Sequence, residues 1–319
     1  MLDVMPNVSV IVPVYGVEQY IERCARSLFE QTFDDIEYIF IDDCTKDSSI
    51  EILQSVIDEY PNRISQVKIL HHETNKGLPQ ARRTGVLAAS GEYLINFDSD
   101  DWVDVNTIEV LYNRALEDAA AIVICDIYTS DGENHTLFKC GDEGLEKWDF
   151  FEKMCQMKFS WSTCNKLIRR TLFADVVFPV RNNAEDMALI LQLMAKADKI
   201  SYVPQAFYYY YINPYSITQL RTKEQILKNI EDKNINNEIV LEVLKGVFPH
   251  RKYMKFSDMF KWQVKKLALN MLFIDKKYYK CWHAVHSDIN LSLFFNPYIS
   301  FGDKFKCFLT FLRIYPRVR

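Results

Sequence analysis

No apolar run in this chain approaches the ~18 residues that a membrane-crossing helix requires, so no spanning segment is expected. The opening Met-Leu-Asp-Val-Met-Pro lacks the basic and apolar regions of a signal peptide. No Cys-x-x-Cys pair occurs; the eight cysteines are scattered, most in apolar contexts, and read as reduced core residues of a cytoplasmic protein. The first apolar run ends in Pro13-Val14-Tyr15-Gly16, without the Gly-x-Gly-x-x-Gly of a dinucleotide site, and no Gly-x-x-x-x-Gly-Lys loop appears anywhere. A bound nucleotide must therefore be held by something other than a glycine-rich phosphate cradle. Internal repeats and low-complexity segments are missing too.

What is present is an ordinary globular composition, 49% hydrophobic and 25% charged over 319 residues, enough for one large domain or a domain with an appendage. Val8 to Tyr15 is nearly unbroken apolar sequence, as expected of a strand buried on both faces. Strands are predicted again at Ile36 to Ile41, Val67 to Leu70, Tyr93 to Phe97, Ala121 to Cys125 and Tyr202 to Tyr211. Helical spacing covers Glu18 to Thr32, Asp47 to Tyr60 with Asp47 as its cap, Leu78 to Ala89, Asn106 to Asp118, Trp148 to Met157 and Glu185 to Ala197. Thr129 to Gly144 reads as a loop. The alternation implies right-handed crossovers and an α/β fold with a mainly parallel, Rossmann-like sheet. Beyond Thr222 the pattern is helical, and Phe256 to Ile274 is strongly amphipathic.

The stretch Gly91 to Trp102 runs from an apolar strand into Asp98, Asp100 and Asp101, with Asp104 close behind. Carboxylates so close together repel, and a hard divalent cation relieves them while leaving positions for phosphate oxygens. Ligands of open α/β sheets bind beyond the carboxyl ends of the strands. Two further polar strand ends fall on the same side: Asp42-Asp43, and the loop around Asn75-Lys76-Gly77. Arg82 and Arg83 follow on the third helix, where one of them can point to the strand ends as a diphosphate requires. The plainer readings are an acidic turn with Asp104 capping the next helix, a capped turn at Asp42-Asp43, and a solvated helix face at the arginines.

In order and spacing these segments resemble a family 2 glycosyltransferase with the type A nucleotide-sugar fold. The marks are Val-Ile-Val-Pro-Val-Tyr at 10–15, Ile-Asp-Asp-Cys-Thr-Lys-Asp-Ser at 41–48, Asn-Lys-Gly-Leu-Pro-Gln-Ala-Arg-Arg-Thr-Gly at 75–85 and Gly-Glu-Tyr-Leu-Ile-Asn-Phe-Asp-Ser-Asp-Asp at 91–101. Trp161, Asn165-Lys166-Leu167 and Glu185-Asp186 follow, the match covering about residues 7 to 218. The resemblance implies that Pro13 and Tyr15 line base and ribose, Asp43 meets uracil, and Asn75 and Arg82 contact the nucleotide or its diphosphate. It places Asp98 near the ribose and the metal, and has Asp100 ligate Mn²⁺ or Mg²⁺ directly. Asp186 matches the family's catalytic base; its plainer reading is helix N-terminal charge. The implied enzyme is a metal-dependent, inverting hexosyltransferase that moves a sugar from a UDP-sugar to a glycan or lipid-linked acceptor in surface polysaccharide synthesis. Three departures stand out: Ala-Arg-Arg-Thr where relatives usually read Ala-Arg-Asn, Cys44 where they usually have glycine, and Tyr211, ahead of Ser216-Ile217-Thr218, where they often have arginine. The rival readings are a phosphotransferase with Asp98 as nucleophile and a nucleotide-binding partner subunit without turnover.

The expected organisation is a catalytic domain over 1–220, with a nucleotide half at about 7–125 and an acceptor half at about 126–220, followed by a basic helical region over 221–319. The formal net charge of -5 hides an asymmetry: residues 251–319 carry 14 Lys+Arg and 4 Asp+Glu, net +10, which leaves net -15 for the rest. The basic region also carries many aromatics that look exposed, among them Phe256, Phe260, Trp262, Trp282, Phe305 and Phe308. Two readings compete: a helical subdomain packed on an apolar stripe, favoured for Phe256 to Ile274, and peripheral attachment to an anionic membrane surface, favoured for the last segment. Nucleic acid is not an expected partner, since no binding motif accompanies the charge.

Overall fold

A computed structural model of the chain describes residues 6–212 and 222–315. The Ser216-Ile217-Thr218 segment lies outside the described residues. Two compact units result: the described residues of Met1–Val180 with Leu189–Pro214, and those of Arg181–Ala188 with Tyr215–Arg319.

The first unit is an α/β sheet domain. In chain order its elements are β1 (Val8–Val14), α1 (Ile21–Phe29), β2 (Ile36–Asp42), α2 (Ser49–Glu59), β3 (Val67–His71), α3 (Leu78–Ala88), β4 (Tyr93–Asn96), β5 (Trp102–Val103), α4 (Thr107–Glu117), β6 (Ile122–Ser130), β7 (His135–Phe138), α5 (Lys147–Cys155), β8 (Lys166–Arg169), α6 (Glu185–Lys196) and β9 (Ile200–Tyr211). Helix α6 starts in the second unit and ends in the first. The strands form one sheet in the order β3-β2-β1-β4-β8-β6-β9-β5, with β7 paired to β6. β3, β2, β1 and β4 are parallel, as the strand-helix alternation requires, and β6 and β9 are parallel to each other. β8 lies antiparallel between β4 and β6, so the sheet is mixed beyond its fourth strand.

Burial explains the parallel half. Every residue of β1 is buried, consistent with cover on both faces. Helix α3 comes close enough to β1 and β2 that a Cβ on Gly85 would meet Ile11 Cγ2 at 2.3 Å and Ile41 Cδ1 at 2.9 Å; only glycine fits there. At the N-terminal ends of the strands the buried Glu37 carboxylate accepts Ser9 Oγ at 2.6 Å, Ser90 Oγ at 2.8 Å and the Gly91 N–H at 3.2 Å, and pairs with Lys68 at 2.8 Å. Burial pushes this carboxyl up, but those hydrogen bonds outweigh it and hold the group at about 2.

The second half departs from the expected elements. β6 continues to Ser130 and turns into β7, so the segment expected to be a loop from Thr129 contains a hairpin. β9 runs past β6 with register shifts at Asp126, where Cys125 pairs with Val203 and Asp126 with Ala206. Pro204 lies in the skipped stretch; without an N–H it cannot serve a continuous ladder. The strands β5 and β8 carry no sequence signal of their own, being two and four residues long.

The second unit is helical: α7 (Lys223–Val247), α8 (His250–Leu267), α9 (Leu269–Ile274), α10 (Tyr279–Ala284) and α11 (Phe301–Phe311). A capping box between Thr222 and Gln225 starts α7. The amphipathic run expected over Phe256 to Ile274 is real, but it begins at His250 and breaks at Ala268. Phe256, Phe260 and Trp262 of this run, and Trp282 of α10, are buried, which corrects their exposed look in sequence, whereas Phe273 is exposed. Lys265 is buried with them. Its ammonium donates to the carbonyls of Trp282 and Val285, both at 2.6 Å, and stands over the Trp282 ring at 4.3 Å. Burial lowers its pKa to about 8.

Candidate active site

In the sheet unit, the loops after β1, β2, β3 and β4 come together through side-chain bonds. The Gly16 N–H donates to Thr45 Oγ1 at 2.9 Å, Val17 N–H to Ser49 Oγ at 3.1 Å, and Glu18 N–H to Asp47 Oδ2 at 3.0 Å, which joins the turn after β1 to that after β2. Asp47 is not the cap expected of it: α2 begins at Ser49 with Ser48 as its N-cap, and Asp47, one residue further out, accepts the Ser49 N–H at 3.3 Å. Pro13 is buried in β1 opposite Ile41, whereas Tyr15 stands 53% exposed past the strand's end.

Asp42 and Asp43 diverge. Asp42 accepts the Thr45 N–H at 2.8 Å and lies 2.9 Å from His71 Nδ1. Asp43 is buried, 2.7 Å from His72 Nδ1, and accepts the N–H groups of Lys76 and Gly77, both at 2.8 Å. His72 in turn lies 2.9 Å from Thr84 Oγ1 on α3. The Asp43 carboxylate therefore shapes the turn that opens α3, with Gly77 at φ +86 as the helix's N-cap. A carboxylate has about four lone-pair positions, so this one keeps an acceptor position for a further N–H. Asn75 is exposed on the same turn. Cys44, where the family pattern usually has glycine, takes φ +59, the left-handed region a glycine occupies without strain.

Of the two candidate arginines, Arg82 turns inward. It is buried, and its Nη2 lies 2.6 Å from Asp98 Oδ1. Arg83 is exposed, its guanidinium 5.8 Å from the centre of the Phe178 ring. Asp98 and Asp100 are half-buried and Asp101 is fully buried. Asp101 accepts the Tyr211 N–H at 2.7 Å and the Tyr208 hydroxyl, and Tyr208 also accepts the Asp98 N–H at 3.3 Å. Burial first, then the negative charge of Asp98 and Asp100, pushes the Asp101 carboxyl well above the usual carboxylate range. Tyr211, at the position where relatives often carry arginine, lies under the Arg23 guanidinium at 5.1 Å. Asp104 does not cap α4 with its side chain: its Oδ1 accepts the Tyr209 hydroxyl at 3.1 Å, and Asn106 is the N-cap.

The metal expectation meets a donor set of two half-buried carboxylates, Asp98 and Asp100. Among the described residues no group of three or more His, Cys, Asp or Glu is arranged to hold a metal ion. Two carboxylates with room for phosphate oxygens and water nevertheless suit Mg²⁺ or Mn²⁺, which rarely take an all-protein cage.

Asp186 lies in the second unit, half-buried in the first turn of α6 beside the buried Glu185. Lys166, in the Asn165-Lys166-Leu167 motif, is fully buried, its ammonium held by the carbonyls of Ser160 at 3.1 Å and Ser162 at 2.6 Å and by Asn165 Oδ1 at 2.8 Å. That motif orders the chain before β8. His72, Tyr208 and Arg23 are not singled out by sequence: His72 and Tyr208 sit among residues of their own kind, His71 and Tyr209 to Tyr211, and only the fold selects which side chain meets Asp43 and which meets Asp101. Arg23 donates to the Asp100 carbonyl at 2.9 Å and covers the Trp102 ring at 3.7 Å.

Comparison with known proteins gives a consistent picture. The family model "Glycosyl transferase family 2" matches residues 9–177. An uncharacterized glycosyltransferase of Bacillus subtilis, EpsJ, is 32% identical over 236 residues, 71% of this chain and 67% of the relative. TarS of Staphylococcus aureus, described as a poly(ribitol-phosphate) beta-N-acetylglucosaminyltransferase, is 28% identical over 280 residues, 79% of this chain and 46% of TarS. A crystal structure of TarS 1-349 in complex with UDP-GlcNAc superposes with a TM-score of 0.67 at 17% identity, covering 97% of this chain and 88% of that one. A mannosyltransferase from Pyrobaculum calidifontis, solved with GDP-Man and Mn²⁺, reaches 0.53 at 14% identity, covering 86% and 89%. At these identities the superpositions establish the fold, which is the type A fold expected from sequence.

Proposed function

Since the chain belongs to glycosyl transferase family 2, we propose that it moves a sugar from a UDP-sugar to a hydroxyl of a glycan or lipid-linked acceptor, with inversion, in surface polysaccharide synthesis. The observation that carries this reading is the convergence of Asp43, Arg82, Asp98 and Asp100 at the strand ends, tied by Asp43 to the Lys76–Gly77 turn and by Arg82 to Asp98. The names of TarS and its UDP-GlcNAc complex support a UDP-sugar donor, and the Mn²⁺ in the mannosyltransferase supports a divalent cation.

In this reading the exposed Tyr15 ring stacks on the base, with Pro13 beneath it, and Asp43 accepts the uracil N–H at its remaining acceptor position. Asn75 lies on the nucleotide side of the same turn. Arg82, buried and held by Asp98, presents a fixed positive charge toward the diphosphate. Asp98 and Asp100 would hold the divalent cation, which would supply Lewis acidity toward the charge of a departing nucleoside diphosphate. Asp186 acts as the base that takes the proton from the acceptor hydroxyl. Eight free thiols support a reducing, cytoplasmic location, and the basic C-terminal region supports peripheral attachment to a membrane. The phosphotransferase alternative would need Asp98 as an open nucleophile, but one of its oxygens is committed to Arg82 at 2.6 Å.

The test is UDP release from a panel of UDP-sugars by the purified chain, with Mn²⁺, with Mg²⁺ and with chelator. Metal-dependent release from one sugar supports the reading. Nucleotide binding without release under any condition would favour a partner subunit without turnover.

A further inference from the structure

The last helix of the second unit has two unlike faces. Cys307 and Thr310 are fully buried, and Phe311 packs its ring against Trp282 at 5.2 Å. On the other side Phe301, Phe305, Phe308 and Leu312 are 83%, 51%, 49% and 52% exposed. Their spacing of four, three and four residues puts them on one stripe of α11. Leu291 and Phe295, just upstream, are 77% and 87% exposed. A folded chain normally hides aromatics of this size, and so many on one short helix and the turn before it mark an interaction surface.

Charge indicates what covers it. The acid of α11, Asp303, is spent internally: its carboxylate is 13% exposed and pairs with Lys266 at 3.1 Å and Lys306 at 3.8 Å, while Trp262 Nε1 donates to it at 3.3 Å. Arg313 is exposed at the helix end, and Lys304 and Lys306 flank the aromatics. The region from Arg251 onward holds 14 basic and 4 acidic residues. No helix among the described residues is long and apolar enough to cross a membrane. An apolar stripe flanked by cations, on a helix too short to span, fits the plane of an anionic lipid surface. We infer that α11 docks there, with the rings of Phe301, Phe305 and Phe308 among the acyl chains and Lys304, Lys306 and Arg313 at the headgroups. This deepens the acceptor reading by naming the surface on which a lipid-linked acceptor would be met.

The experiment is sedimentation of the full chain with vesicles of phosphatidylcholine alone and of phosphatidylcholine mixed equally with phosphatidylserine, without any sugar donor. The wild type is expected to pellet with the anionic vesicles, less so as salt rises, and to stay in solution with the neutral ones. Phe301→Ser combined with Phe305→Ser, both exposed positions, should weaken binding about tenfold or more with the thermal transition unchanged. A wild-type chain that stays in the supernatant with anionic vesicles at low salt overturns the inference. So does binding that the double variant retains, or a wild-type oligomer that this variant converts to monomer, which would assign the face to a second copy. Because no donor is used, failure here leaves the transferase reading standing, and failure of UDP release leaves this result standing.

A second observation concerns the start of α6. Asn236 on α7 is fully buried, and its Nδ2 donates to the carbonyls of Arg181 at 2.7 Å and Asn183 at 2.9 Å. Ala184 follows at φ +64, a left-handed turn that a non-glycine residue adopts only when held, and Asp186 lies two residues on. Arg181 also faces Glu231 of α7 at 3.7 Å. The geometry points to Asn236 as a positioning residue that sets the direction from which Asp186 acts, an inference that rests on Asp186 being the base. Asn236→Ala should lower kcat at least tenfold while leaving UDP affinity and the donor KM unchanged; Asn236→Ser, which keeps one donor, should fall between. If Asn236→Ala does not fold, the Ser variant alone decides by the same split. Wild-type kcat, or equal loss of kcat and UDP affinity, overturns the clamp. An Asp186→Asn variant with full activity would instead sink the reading of the base itself.

Discussion

At the scale of single residues, the aspartate pair makes the sharpest claim. Asp100→Ala is expected to abolish metal-dependent UDP binding, because the remaining Asp98 shares its carboxylate with Arg82 at 2.6 Å. Calorimetry with UDP, with and without Mn²⁺, checks this; equal affinity in wild type and variant would remove Asp100 from metal binding. Asp186→Asn keeps the carbonyl oxygen but loses the proton acceptor. On its proposed role as the base, transfer should fall by ~10²–10⁴ with UDP affinity intact, and single-turnover kinetics measures it. Cys44 offers the opposite sign. At φ +59 its side chain costs about 1 kcal/mol that glycine would not, so Cys44→Gly should raise the unfolding midpoint slightly despite glycine's greater freedom when unfolded.

At the scale of elements, β2 carries a charge that makes the sheet sensitive to acid. Glu37 titrates at about 2 in the folded chain against an ordinary 4.5. A depressed carboxyl contributes stability that is fully present above the ordinary value and disappears as pH falls toward 2. The limit is about 3 kcal/mol, from about 1.4 kcal/mol per unit. Glu37→Gln should therefore be less stable than wild type at pH 7, with the gap narrowing below pH 4.5; denaturant melts at neutral and acid pH measure it. A gap unchanged by acid would mean that the loss comes from shape rather than charge. Legibility also differs by element. The parallel strands are legible because apolar runs end in polar residues. Spacing alone thus puts Asp43 and Asp98 at strand ends and leaves Arg82 and Arg83 as the candidates for the cation between them. β8 is not legible: it is four residues long and opens on Lys166, a cation whose burial depends on carbonyls of Ser160 and Ser162 that no local pattern announces. The hairpin of β6 and β7 is hidden because β7 is exposed along its whole length and shows no alternation. In the helical unit, spacing reveals the apolar stripe of α8 but not the depth of Lys265, whose partners lie seventeen to twenty residues on.

At the scale of the whole molecule, the helical unit is a folded core with its own demands. Lys265→Met would leave the carbonyls of Trp282 and Val285 without their donor, at about 1–3 kcal/mol, and should lower the unfolding temperature of the full chain. Scanning calorimetry measures this; an unchanged transition would show that water replaces the ammonium. The same scan on Phe301→Ser should show little change, since that ring is 83% exposed.

The division of the chain has a bearing on recombination. Residues Arg181–Ala188 pack with the C-terminal helices although sheet elements lie on both sides of them in sequence. The two compact bodies thus exchange chain three times, after Val180, after Ala188 and after Pro214. A chimera spliced at one peptide bond near residue 214 would take Asp98, Asp100 and Asp186 from one parent, and the helices that hold Asp186's turn from the other. Asn236 would then face carbonyls of a foreign loop. Exchanging the helical unit between relatives therefore calls for moving the octapeptide together with the C-terminal helices, as one heritable block assembled from two stretches of sequence.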